Sequence, residues 1–258
     1  MRETGSRKSG AVSEAGVTLM ELLIAVTLVA LLAVGMLMAL RVGLSAMDKA
    51  NTWLMANRRA ASVERIVESE IGGIIPVKAQ CMPTAEMPPL TIPFFQGDPQ
   101  AMRLVSNYSL QQGNRGLPMI LEFHVIPGAE GRGVRLAVNE HTYTGPLAAG
   151  AFCAGQAPDQ TGIMQPIFLP IETGASSFVL ADKLAYCHFS YRFVFPQPNV
   201  LAAMTAIWMP HWNKPFLPNA IRVEMAPLDP DSSRVQLVTF TIPVHVTRDP
   251  LKNDYGRE

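Results

Sequence analysis

Twenty-four consecutive residues, Val17 to Leu40, carry one ionisable side chain, Glu21, and are otherwise apolar or hydroxylated. At about 1.5 Å rise per residue such a run covers the roughly 30 Å hydrocarbon core of a bilayer. A cleaved secretory signal fits less well. Its apolar region is shorter and its small cleavage-site residues follow that region, whereas Gly16 precedes this one. The segment is therefore expected to stay in the product as a membrane helix.

Beyond Arg41 the pattern turns amphipathic without a break. Leu44, Met47, Leu54, Val63, Ile66, Val67, Ile71 and Ile74 recur at helical spacing, between Asp48, Lys49, Arg58, Arg59, Glu64, Arg65, Glu68 and Glu70. Gly72-Gly73 supplies a stop, which predicts one helix over Val17 to Ile71, 55 residues and about 80 Å long. Leu54, Val63, Ile66, Val67 and Ile71 are the expected packed stripe, and the charged run Glu64 to Glu70 is read as the solvated face. None of the 21 prolines precedes Pro76, so the chain has two parts.

From Pro76 the sequence reads as β-rich. Met119 to Ile126, Val134 to Tyr143, Ser176 to Leu180, Ala185 to Phe195, Ala220 to Met225 and Val235 to Val246 are rich in β-branched and aromatic residues, several in period two. Phe189, Tyr191, Phe193 and Phe195 alternate with His188, Ser190 and Arg192, which predicts a strand with one buried face. The Pro/Gly-rich stretches Cys81 to Pro99 and Gly145 to Pro166 are read as long surface insertions. Cys81, Cys153 and Cys187 permit one disulfide at most.

Twenty-one basic residues balance twenty-one acidic ones, so the chain lacks the basic excess that drives phosphate binding and nucleic acid is not an expected partner. Before the apolar run, Arg2, Arg7 and Lys8 outnumber Glu3 and Glu14. The positive-inside bias then places Met1 to Gly16 in the cytoplasm and the body across the membrane.

The stretch Gly16-Val17-Thr18-Leu19-Met20-Glu21-Leu22-Leu23-Ile24-Ala25-Val26 resembles the class III signal of type IV pilins and type II secretion pseudopilins. A polar leader ends in glycine, an apolar run follows, and the fifth residue after the glycine is glutamate. The resemblance implies cleavage between Gly16 and Val17 by a prepilin peptidase, N-methylation of Val17, and a pilin-like α+β fold. In that fold a long transmembrane and amphipathic helix packs on a mostly antiparallel β body. The expected organisation is a leader over 1–16, a transmembrane helix over 17–40, an amphipathic periplasmic helix over 41–75 and a β-rich periplasmic domain over 76–258.

Physical chemistry supplies a role for Glu21. A carboxylate inside a membrane helix costs about 2.5 to 3.5 kcal/mol on insertion scales, so it calls for a partner. The α-amine of a neighbouring subunit, stacked with an axial offset, would pair with it in a low dielectric. The bland alternative is a tolerated charge near the membrane edge.

Within this superfamily three stretches resemble the J-type minor pseudopilins. They are Arg58 to Glu68, Leu184 to Tyr191 with Trp208 and Trp212, and Leu217-Pro218-Asn219-Ala220-Ile221-Arg222-Val223-Glu224-Met225. That resemblance implies a bacterial inner-membrane, single-pass protein at the tip of a periplasmic pseudopilus. Its implied partners are the I-type and K-type minor pseudopilins, the major pseudopilin, the prepilin peptidase and inner-membrane lipid. A minor pilin of a type IV pilus or uptake machine would share the same N-terminus. From another class, a signal-anchored periplasmic enzyme would need a convergent polar cluster.

No catalytic residue, cofactor or metal is expected. His124, His141, His188, His211 and His245 show no ligand spacing, and no nucleophile-elbow or phosphate-loop motif appears. Asp229-Pro230-Asp231 lacks the glycine and distal glutamate of a calcium loop. Cys187 reads as a buried small hydrophobe, and Trp208 and Trp212 as core or rim packing.

Overall fold

The computed structural model describes residues 17–82, 90–110, 114–158, 162, 164–174, 177–196, 204–229 and 237–246. Helix α1 spans Leu19–Gly72, so the helix legible in the sequence is present with its ends moved by one or two residues. It stops at the glycine pair, where Gly73 N donates to Ser69 O and Ile74 N to Ile71 O. The chain divides between Leu54 and Met55 into two compact units, the first made of the apolar part of α1 and the second the body.

In chain order the body contains β1 (Lys78–Cys81), β2 (Leu90–Pro93), β3 (Gln96–Gly97), β4 (Ala101–Ser109), β5 (Asn114–Pro127), β6 (Val134–Thr142) and α2 (Pro146–Gly150). There follow β7 (Cys153–Pro158), β8 (Met164–Phe168), β9 (Phe178–Pro196), β10 (Met204–Met209), β11 (Ala220–Pro227) and β12 (Val238–Pro243). The main sheet runs β12-β11-β9-β6-β5-β4-β3, with β10 also on β9. Every pairing among the described strands is antiparallel. The sheet curls until its β3 edge meets the β9–β10 end: Gly97 bridges Trp212, and Phe189 N donates to Pro99 O. The chain is thus α+β, a long N-terminal apolar helix followed by an antiparallel β body.

Strand alternation gives the sheet two buried faces. On the first, Met102, Leu104, Leu121, Phe123, Leu136, Val138, Phe189 and Tyr191 form the core on which Val63, Val67 and Ile71 of α1 pack. Val67 and Ile71 are fully buried, each a contribution of about 1.5 to 3 kcal/mol from burial alone. Ile66 is half-buried. Leu54, expected in this stripe, is 45% exposed, so the described packed stripe begins at Val63. Glu70, assigned by its charge to the solvated face, is instead fully buried. It lies seven residues after Val63 and three after Val67, on the same helical face.

The second face is covered by the segments that read as surface insertions. They are a second layer: the β1–β2 pair, α2 and the β7–β8 pair enclose Ala79, Cys81, Ile92, Phe94, Ala149 and Cys153 against Val105 and Ile120. A Cys81–Cys153 disulfide ties the layer together, Cα to Cα 5.5 Å across 72 residues of sequence. Backbones approach closely there, since a Cβ on Gly150 would lie 1.9 Å from Gln80 O.

One further expectation is corrected, and one strand appears that the sequence reading did not include. The strands read over Ser176 to Leu180 and Ala185 to Phe195 are one strand, β9, from Phe178, with Lys183 at a positive φ of 56° where its register shifts; Ser176 lies outside the described residues. Residues 101–109 form β4, a strand one place in from the β3 edge that the sequence pattern hid, because Arg103, Ser106 and Ser109 are polar yet buried. The predicted alternation in β9 holds where side chains are described: Cys187, Phe189 and Tyr191 are buried and Phe193 half-buried, while His188 and Arg192 are exposed. Trp212 is core, and Trp208 is half-buried with the Arg222 guanidinium 3.8 Å above its ring.

Candidate functional site

The start of α1 is one candidate site. Thr18 precedes the helix, and its Oγ1 accepts a hydrogen bond from Glu21 N at 3.3 Å. Thr18-x-x-Glu21 has the spacing of a capping box, which places Glu21 in the first turn, where the helix dipole favours a carboxylate by about 0.3 to 1 kcal/mol. The signal for this local role is a Thr three residues before a Glu, a pattern overshadowed in the sequence by the apolar run around it. Val17 is 69% exposed; Gly16 and the rest of the leader lie outside the described residues.

Nothing described in this unit neutralises Glu21. The next ionisable side chain along the helix is Arg41, 20 residues and about 30 Å away. Thr18, Glu21, Ile24, Ala25 and Leu28 line a shallow hollow beside the carboxylate. Within Leu19–Thr52 the most apolar 18-residue window has a mean hydropathy of 2.8 and none of it is buried, so the helix is long and apolar enough to cross a membrane. Thr27 and Ser45 donate their hydroxyls to Ile24 O and Val42 O, so both groups are satisfied within the helix.

In the body, strand register builds a polar row beneath the second layer. Gln96, Arg103, Glu122 and Asn139 are successive partners across β3, β4, β5 and β6. Arg103 Nε donates to Glu122 Oε1 at 2.6 Å, and its Nη1 to Gln96 Oε1. The guanidinium also lies 5.7 Å from the Phe152 ring centre and 5.8 Å from that of Phe168. Asn139 Nδ2 donates to Glu122 Oε2 and to Glu172 O, and its Oδ1 accepts from Ser177 Oγ. His141 Nε2 reaches Glu122 Oε2 at 3.1 Å.

Burial alone would raise Glu122. The hydrogen bonds of Arg103, Asn139 and His141, together with the Arg103 charge, outweigh it and hold the carboxyl below its ordinary value. His124 is lowered, mainly by burial. Two of the scattered histidines, His124 and His141, thus meet at Glu122. Among the described residues no three His, Cys, Asp or Glu side chains gather into a metal site.

A second buried polar group lies on the helix side of the sheet. Glu140 accepts from Ser109 Oγ at 2.8 Å and from Leu110 N at 2.6 Å. Glu70 of α1 lies against it, and neither Glu70 oxygen meets a donor among the described residues. Two acceptors bond only if one carries a proton. Burial, then the Glu140 charge and hydrogen bond, push the Glu70 carboxyl up to about 8.

These features define a class: a chain with, among the described residues, one apolar N-terminal helix able to cross a membrane, followed by an antiparallel β body. No protein-family model matches the chain, and no curated protein matches its sequence.

Proposed function

We propose that the chain is a minor pseudopilin of the type II secretion system, of the J-type, anchored in the bacterial inner membrane with its body in the periplasm. It would assemble with I-type and K-type minor pseudopilins at the pseudopilus tip, above the major pseudopilin. The observation that carries this reading is Glu21, the lone carboxylate of the unburied apolar run Val17 to Leu40, five residues after Gly16 and with no cation nearer along its helix than Arg41. A neighbouring subunit's α-amine, freed by cleavage at Gly16, is the cation that would complete it.

The body adds support. A disulfide between Cys81 and Cys153 suits an oxidising compartment and hence a body outside the cytoplasm. The convergent polar cluster that an enzyme would need exists at Glu122, but its groups are bonded to one another beneath α2, β7 and β8. This fits an interior brace better than a reaction site.

Mass spectrometry of the purified N-terminus tests the reading. The expected product begins at Val17 and carries one added methyl group; an intact leader from cells with an active prepilin peptidase would overturn it. Glu21→Leu should keep membrane-fraction abundance while crosslinking to the I-type and K-type subunits and secretion decline. Normal secretion by the Glu21→Leu variant would leave Glu21 a tolerated edge charge.

A further inference from the structure

We propose that Glu70 is a proton-binding site that controls the docking of the last turns of α1 on the body, holding them when occupied and releasing them as pH rises. The inference stands on the body alone and does not depend on the assembly reading above.

The geometry sets the two states. Val63, Val67, Glu70 and Ile71 form the buried face of α1, and Glu70 is the one charged residue among them, with no exposed surface. From β6 the facing charged group is Glu140, flanked by Val138; β5 brings Met119 and Leu121. From β4 come Ser106, Ser109 and the titratable but half-buried Tyr108. Glu64, Arg65 and Glu68 sit on other faces of α1, half-buried or exposed, and His141 is on the opposite face of the sheet from Glu140. Among the described residues no hydrogen-bond donor meets either Glu70 oxygen.

With the proton present, Glu70 donates to Glu140, whose two oxygens are already fixed by Ser109 and Leu110. Without it, two carboxylates lie buried side by side, a charge arrangement that burial penalises heavily. The relief available is for residues 63–72 to leave the sheet, since water can then solvate Glu70. The chain just beyond stays tethered, because Ile74 bridges Ser106, Ile75 N donates to Val105 O and Asn107 N donates to Gly73 O. Release therefore pivots α1 about Gly72-Gly73, the point where the helix ends and the tethered chain begins. With its oxygens buried and facing another acceptor, Glu70 takes a proton as the occupant that fits.

Hydrogen exchange on the full chain in detergent micelles, corrected for the intrinsic pH dependence of exchange, tests this. Between pH 6 and pH 9 the protection of amides in residues 63–72 should fall roughly a hundredfold, since each pH unit between the free and docked values changes the opening equilibrium about tenfold. Glu70→Gln keeps the neutral form's shape and donor, so its protection should be nearly independent of pH and at least equal to that of wild type at pH 6. Glu140→Gln removes the like charge and should reduce the wild-type loss. A wild-type segment equally protected at pH 6 and 9 would overturn the proposal, as would a Glu70→Gln variant that keeps the full loss. Restoration of protection at pH 9 by calcium or magnesium would also overturn it, by showing that the pair takes a metal ion in place of the proton.

Discussion

Removing the Cys81–Cys153 disulfide gives a sharp test of the second layer. The bond closes 72 residues of chain, enclosing β2 to β6 and α2, and in the chain-entropy account such a loop restricts the unfolded state by about 4 kcal/mol. The double variant Cys81→Ser/Cys153→Ser should therefore lose about that much. The full chain in micelles, unfolded by urea and followed by tryptophan fluorescence, provides the assay. With a slope of about 2 kcal/mol per M the midpoint should fall by about 2 M. Cys187→Ala, which leaves the disulfide intact, is the reference variant. A midpoint shift under about 0.5 M would refute the reasoning, because it would mean that the loop is equally restricted when unfolded without the bond.

Other expectations follow from single sites. Arg103→Met strands the Glu122 carboxylate in a buried site and should cost about 3 to 5 kcal/mol, whereas Arg103→Met/Glu122→Leu should recover most of it in the same urea assay. Because Glu122 is held below its ordinary value, its contribution is present at neutral pH and lost as pH falls through its folded value. Acid unfolding of Glu122→Gln should accordingly be less steep than that of wild type. Gly150→Ala drives a Cβ into the Gln80 carbonyl and should destabilise the body by about 1 to 3 kcal/mol, read as a lower thermal midpoint. The Cys187 thiol, pushed up to about 12 by burial, should resist alkylation in the folded protein and react only in urea.

Local chemistry made part of this protein legible before any contact was known. A proline-free apolar run followed by helical periodicity specifies α1, and the glycine pair specifies its end, since both act through the backbone of neighbouring residues. Period-two aromatics specify β9, and a lone carboxylate in an apolar run specifies where a counter-ion is missing. Register and layer packing decided the rest. Arg103 hid β4 because its charge reads as exposed until Glu122 and Gln96 stand beside it on neighbouring strands. Glu70 reads as solvated until β6 brings Glu140 against it. The Cys81–Cys153 bond joins residues 72 apart, and what pairs them is the second layer folding over the sheet. In each case the sequence supplies the side chain, but its energy depends on groups far along the chain that only tertiary structure brings within reach.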